Sequence, residues 1–360
     1  MTKEYKEGIY FNMPEEEYHN IPLFSRSFLE AMLFDQEEGW LISPHNPDKP
    51  ERKSTPAMEL GTAIHSMLLE PNMFKIRYVQ EPCYADYKGV EILKDIKDLK
   101  SFLKKVGEIK LSALNKAELI TIAETYLHPD TQVIWDNVIR DFKLYVEKHS
   151  KRILSQNDTE TLDGIKESFN YRPKIKEKLL QDGYSEVVII WEDFQGLKYK
   201  ARLDRVNIDS IIDIKSFSVK YTKKPLQEFL DSEIRYQNYN FQASVYVDGL
   251  KTVIKKIRNK EAEVFGEVDQ EWLSKFLENE NKNYSIIFAR TQAPYQIIEK
   301  PLIKTKQDLR KNLCYTQGIQ LFINAVIKII RCQEEFKEKR WIDHEVRPPD
   351  DDIFTRQVQP

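Results

Sequence analysis

Apolar positions follow helical spacing in the first half of the chain, alternate or run together in the middle, and return to helical spacing at the end. The first short helical pattern covers residues 27 to 34, where Ser25 or Ser27 could cap it. A loop rich in proline and charge follows from 43 to 56. Between 56 and 70, Met58, Ala63, Ile64, Met67 and Leu68 form an apolar helix face that stops before Pro71. Residues 92 to 180 are very polar, with helical patterns over 116–127, 130–148 and 160–169, and a short helix from 173 to 180 after the break at Pro173.

The texture changes at Tyr184. The run from Ser185 to Trp191 is β-branched and aromatic and reads as a strand. Gln195-Gly196 makes a turn, residues 197–208 alternate as a second strand, and 211–217 form a third. A helix is expected over 233–257, a buried strand over 284–289 with its partner over 295–299, and a long amphipathic helix from about Lys306 to Lys337. Helices, three strands, a helix, two strands and a helix predict an α/β domain with a mixed central sheet flanked by helices. A single domain over 1–360 is expected, with 92–180 as a mostly helical polar insertion and the core at about 56–75 and 184–340.

Composition narrows the class. Hydrophobic residues make up 41% of the 360, enough for a sizeable core, and only 11 glycines argue against propeller or collagen-like architectures. The net charge of −3 points to no nucleic-acid partner by itself, although binding needs only a local basic patch. Lys94, Lys97, Lys100, Lys104, Lys105 and Lys110 read as a solvated helix face, as do Lys251, Lys255, Lys256, Arg258 and Lys260. Cys83, Cys314 and Cys332 match no zinc or redox spacing and are too few for a four-thiolate cluster, so free thiols are expected. The N-terminus lacks a signal-peptide pattern, and the apolar run over 321–330 contains Lys328 and is too short to span a bilayer. A cytoplasmic protein without a membrane partner is expected.

The segment from Leu203 to Lys215 carries the candidate chemistry. If Ile208-Asp209 is a two-residue loop, Asp204 faces Asp213 across a hairpin, with Cβ atoms about 4.5–5.5 Å apart. Two such carboxylates repel unless a cation lies between them, and oxygen ligands suit Mg²⁺ or Mn²⁺. Lys215, two residues after Asp213, shares its strand face. A lysine there can orient a water and stabilise charge developing on a phosphate. A surface hairpin with a Lys–Asp ion pair is the plainer alternative, weakened because Ser210-Ile211-Ile212-Asp213-Ile214 has the character of an interior strand.

Asp204 followed by Asp213-Ile214-Lys215 resembles the core motif of the PD-(D/E)XK nucleases. Gly61-Thr62-Ala63-Ile64-His65 resembles the histidine helix of their RecB-like branch, and Gln242-Ala243-Ser244-Val245-Tyr246 its Gln-x-x-x-Tyr helix. Tyr18-His19, Leu23 to Ser27, Leu69-Glu70-Pro71 and Lys200 to Asp204, kept in order from about residue 10 to 345, are similar to the exonuclease VIII (RecE-like) catalytic domain of phages and prophages.

The resemblance implies metal ligation by His65, Asp204, Asp213 and the carbonyl of Ile214. It makes Lys215 the residue that positions the attacking water, and gives Gln242 and Tyr246 a steadying role. Glu186 resembles an acidic position of the family that holds a second metal or a water, with a solvated strand-end acid as the alternative. A metal-ligating His65 must be neutral, so activity is expected to fall in acid. His19, His45, His128, His149 and His344 read as structural.

Arg202 could meet a phosphate or balance the acids, Arg26 could meet a DNA end, and Lys220, Lys223 and Lys224 are phosphate contacts by position. The resemblance further implies a Mg²⁺- or Mn²⁺-dependent exodeoxyribonuclease that digests duplex ends 5′→3′ as a homo-oligomer beside a single-strand annealing protein, for phage-type recombination. It also implies a catalytic domain standing alone, and no phosphate-loop ATPase motif occurs. Rival readings are an endonuclease or single-strand-specific nuclease on the same core, and an inactive DNA-end-binding protein.

Overall fold

Near-continuous apolar runs build the middle of an eight-stranded mixed sheet. The computed structural model describes residues 4–51, 53–180, 183–305, 309–337 and 339–341. Lys306, the expected start of the last helix, and His344 lie outside them. The strands are β1 (Gly8–Tyr10), β2 (Phe24–Ser25), β3 (Gly183–Glu192), β4 (Lys198–Asn207), β5 (Ser210–Phe217), β6 (Glu263–Phe265), β7 (Asn283–Arg290) and β8 (Ile297–Ile303). Their order is β6-β1-β3-β4-β5-β7-β8, and β2 pairs with β4 off this path. The β3-β4, β4-β5 and β7-β8 pairs are antiparallel, whereas β5 and β7 are parallel. Val187 to Trp191, Ile211 to Ile214 and Tyr284 to Ala289 are all buried, because these strands are covered on both faces.

The chain divides into two compact units, one ending at Gly61 and resuming at Glu167, the other spanning Thr62–Lys166. The second unit therefore begins and ends earlier than the polar segment read over 92–180. Within it, Tyr78–Gln80 pairs in parallel with Arg152–Leu154, which draws residues from about 78 onward into this unit. Residues after Lys166 belong to the sheet unit: Leu179 is fully buried there, and Lys178 O accepts from Asn207 Nδ2 at 2.9 Å. A small core around Leu99, Phe102, Leu103 and Leu119 holds the second unit together. Three-residue strands such as Glu91–Leu93 and Gln132–Ile134, which pair here, are too short to print an alternating pattern in sequence.

The sheet unit carries α1 (Arg26–Phe34), with Ser25 as its N-cap, and the first turns of α2 (Pro56–Leu69). It also holds α3 (Pro173–Leu180), α4 (Leu226–Tyr236), α5 (Tyr239–Arg258), α6 (Gln270–Glu278) and α7 (Leu313–Phe336). The single helix expected over 233–257 is thus two helices. Asn238 takes a left-handed conformation (φ 50°) between them, and Gln237 O accepts from Arg26 Nη2 at 3.2 Å. The last helix is 24 residues long, and its length and composition alone would let it cross a bilayer. In this fold it is a layer of the domain, burying Gly318, Ala325, Val326 and Ile329.

Gly318 permits the closest approach of α7 to α5. A Cβ there would lie 2.5 Å from Asn240 O and also run into Ser244. Ser244 Oγ already bridges the crossing, within 3.3 Å of Cys314 O and 3.2 Å of Tyr315 O. Gly318→Ala is therefore expected to destabilise the fold by about 1–3 kcal/mol, the usual cost of overpacking. Chemical denaturation should show a lower midpoint with an unchanged slope; an unchanged midpoint would mean the helices can part without cost.

Three buried cations tie backbone to backbone. Lys200 Nζ donates to Tyr18 O at 2.8 Å and Ile21 O at 2.7 Å, fixing the N-terminal segment. Lys282, fully buried, donates to Phe276 O at 2.7 Å and to Ile208 O in the β4–β5 turn. Burial lowers both ammonium groups to about 8. Arg290 donates to Val219 O through Nε (3.0 Å) and Nη2 (2.6 Å), and to Lys220 O at 2.9 Å, holding the chain as it leaves β5. None of the three cysteines forms a disulfide among the described residues.

Candidate active site

β4 and β5 part company where the acidic residues lie. Their ladder pairs Val206 with Ile211 and Arg205 with Ile212, so Ile208-Asp209 is a two-residue loop and the same register sets Asp204 opposite Asp213. The ladder stops at Arg205, and the Asp204 side chain takes over: its Oδ2 accepts from Ile214 N–H at 2.8 Å. A carboxylate thus satisfies a backbone donor that the departing strand no longer reaches. β5 meanwhile runs in parallel register with β7 along its whole length, from Ser210 with Asn283 to Phe217 with Arg290.

Asp213 is 2% exposed within an apolar strand, so its charge needs partners. Gln242 Nε2 on α5 donates to its Oδ1 at 2.6 Å, and Lys215 Nζ stands 2.8 Å from its Oδ2. Burial would lower the Lys215 ammonium, but Asp213 and Asp204 outweigh it and hold that pKa above the ordinary lysine value. Lys215 therefore stays cationic through neutral and alkaline pH, with its Nζ 5.4 Å from the centre of the Tyr239 ring.

A third acid comes from β3. The β3-β4 ladder keeps one register on both sides, Ser185 with Arg205 and Val187 with Leu203, so Glu186 stands opposite Asp204 yet drops out of the pairing. Its φ is 56°, a left-handed conformation that costs a non-glycine residue about 1–3 kcal/mol. In that conformation a Glu186 carboxylate oxygen lies within 4.8 Å of one of Asp204. Oxygen donors at this spacing, from adjacent strands, fit a hard divalent cation.

The remaining sequence-derived residues fall into two groups. Arg202 Nε stands 2.8 Å from Glu186 Oε2 and its Nη1 3.7 Å from Glu15, so it balances acids. Arg26 pairs with Glu30 at 2.9 Å and anchors the α4–α5 turn. Lys255 and Arg258 pair with Glu280, and Lys256 with Glu7, leaving that group to structure. Lys220, Lys223 and Lys224 lie on the loop that follows β5. Gly61 on α2 would put a Cβ 3.7 Å from Ser216 Oγ, so the start of that helix runs close to the end of β5. His65 follows on the same helix, half-buried, within the second unit.

Two site tyrosines escape the sequence motifs. Tyr239 shares a helix face with Gln242 and Tyr246 at i, i+3 and i+7, a spacing visible in sequence. Tyr284 pairs with Ile211, which puts it on the face of the sheet that bears Asp213, and its buried hydroxyl has no hydrogen-bond partner among the described residues. Burial, reinforced by Asp213, raises the pKa of Tyr246 and Tyr284 well above the ordinary value, so both stay protonated.

No curated protein matches this chain. One solved structure to which it is similar is described as a "putative exonuclease" from Eubacterium rectale: 13% identical, covering 89% of this chain and 86% of that one, with a TM-score of 0.45. A family model described as a PDDEXK-like domain of unknown function (DUF3799) matches residues 42–271.

Proposed function

The chain belongs to the PDDEXK-like domain family of unknown function (DUF3799), and from that membership we propose that it is a divalent-metal-dependent deoxyribonuclease. The observation that carries this reading is the placing of Asp204 opposite Asp213, with Lys215 against Asp213 and Glu186 opposite Asp204 on the next strand. Asp204, Asp213 and Glu186 would hold Mg²⁺ or Mn²⁺, with the Ile214 carbonyl; His65 joins this set from the sequence resemblance. A bound divalent ion there would lower the pKa of water and neutralise phosphate oxygens.

The protein's own groups supply the rest. Lys215 brings a fixed positive charge to the scissile phosphate and orients the attacking water. Gln242 fixes the Asp213 carboxylate by one oxygen and leaves the other to Lys215 or to a cation. Tyr239 and Tyr246, protonated donors on the same helix, steady the strand at the site. Lys220, Lys223 and Lys224 meet phosphates beyond it.

The finer terms rest on the sequence resemblance: digestion from duplex ends, 5′→3′, by a cytoplasmic homo-oligomer that leaves single strand for an annealing partner in phage-type recombination. Purified protein with Mg²⁺ should degrade labelled linear duplex, spare a covalently closed circle and stop on chelation. Cutting of the circle would replace the exonuclease with an endonuclease. Failure to cleave linear duplex, circle or single strand with either Mg²⁺ or Mn²⁺ would remove the nuclease reading.

A further inference from the structure

The loop between β5 and α4, residues 218–225, stands out by charge and exposure. It contains Lys220, Lys223 and Lys224 and no acid, a local +3 in a chain of net −3. The three lysines make no ion pair among the described residues, unlike Lys255, Lys256 and Arg258. Tyr221, between them, is 81% exposed, and Lys220 Nζ lies 6.0 Å from its ring centre.

The loop is nonetheless anchored. Arg290 holds the carbonyls of Val219 and Lys220, and Thr291 N donates to Phe217 O at 2.9 Å. An aromatic ring presented to water next to an anchored stretch of backbone, with lysines on both sides in sequence, matches what a flexible nucleic-acid strand needs. The ring face takes a base by stacking while ammonium groups take the neighbouring phosphates. A duplex offers no unpaired base face to that ring. The loop begins three residues after Lys215, so a strand lying along it would run directly to or from the carboxylates.

Resting on the nuclease reading for its biological setting, we propose that Tyr221 with Lys220, Lys223 and Lys224 is a platform for single-stranded DNA, on which one base stacks on Tyr221. The platform favours unpaired strand, such as that freed at a duplex end, over intact duplex, because its affinity comes from an unstacked base as well as from phosphate charge.

Binding measured without cleavage separates this proposal from the chemistry. Fluorescence anisotropy with labelled oligo-dT and with a matched duplex, both in EDTA, reads the platform whether or not the protein is a nuclease. Tyr221→Ala should weaken oligo-dT binding by about 5- to 150-fold, as for loss of one stacked base, and change duplex binding much less. Tyr221→Phe should keep the affinity. Replacing the three lysines by Ala should lower the log–log salt slope for oligo-dT by about 2. Unchanged oligo-dT affinity in Tyr221→Ala, or an equal loss for duplex, would overturn the platform. Normal strand binding with no cleavage of any DNA would leave it standing and remove the nuclease reading.

Discussion

Replacing Lys215 with Ala is expected to lower DNA cleavage by about 100- to 1,000-fold, the usual effect of removing one charge-stabilising group from a preorganised site. It should also act on the resting protein. Asp213 is 2% exposed, and Lys215 is its cationic partner at 2.8 Å. Without it the carboxylate keeps the neutral donor Gln242, at 2.6 Å. A buried charge that loses its partner is strongly destabilising, by about 3–5 kcal/mol in the worst cases. The melting temperature of the metal-free variant should therefore fall. Mn²⁺ should then raise it by more than it raises the wild type, because a cation at the carboxylates replaces the missing ammonium. Thermal melts with and without Mn²⁺, beside a cleavage assay, check both parts. Full activity in Lys215→Ala would remove Lys215 from the chemistry, and equal metal-induced shifts would mean that the ion binds away from Asp213.

Asp204 offers the second large effect, because its two tasks can be separated. As a ligand it needs a negative charge; as the acceptor of the Ile214 N–H it needs only an oxygen. Asp204→Asn should abolish metal-dependent cleavage while keeping that hydrogen bond and most of the stability. Asp204→Ala should abolish cleavage too, and additionally leave a buried amide unsatisfied at a cost of about 1–3 kcal/mol. Calorimetric titration with Mn²⁺ should give weakened binding in both variants, and denaturation a loss confined to Ala. Equal stability of the two would mean that water or a neighbour takes over the Ile214 amide.

The hairpin was legible because its determinants are local. A two-residue loop between an alternating strand and an apolar interior one fixes the register, and register alone sets Asp204 against Asp213. The mixed sheet between helices was legible for the same reason, each long strand and helix carrying its own period. What stayed hidden depends on partners distant in sequence. The left-handed Glu186 leaves no trace in a β-branched run, since it lies where the β3-β4 ladder skips a pair opposite Asp204. The break before Tyr239 was hidden because no Gly or Pro marks it; an asparagine supplies the left-handed turn. Arg202 reads as a phosphate contact or, better, a counter-charge, but its partners Glu186 and Glu15 are visible only in the fold. Tyr284 looked like one more aromatic in a buried strand, and its orphaned hydroxyl on the face of Asp213 is a property of the pairing with β5.

Lys282 immediately precedes β7 and Arg290 is its last residue, and they act as end stops for the neighbouring β5. At one end Lys282 grips the turn before β5, and at the other Arg290 grips the chain after it. Side chains on a strand alternate between faces, so sliding β5 by a single residue would exchange Asp213 and Lys215 with Ile212 and Ile214 between the two faces of the sheet. A slip in either direction must break one set of charged contacts or the other. The alignment of the acidic residues is thus indexed by two cations that stand apart from them, much as a ruler is fixed by its ends.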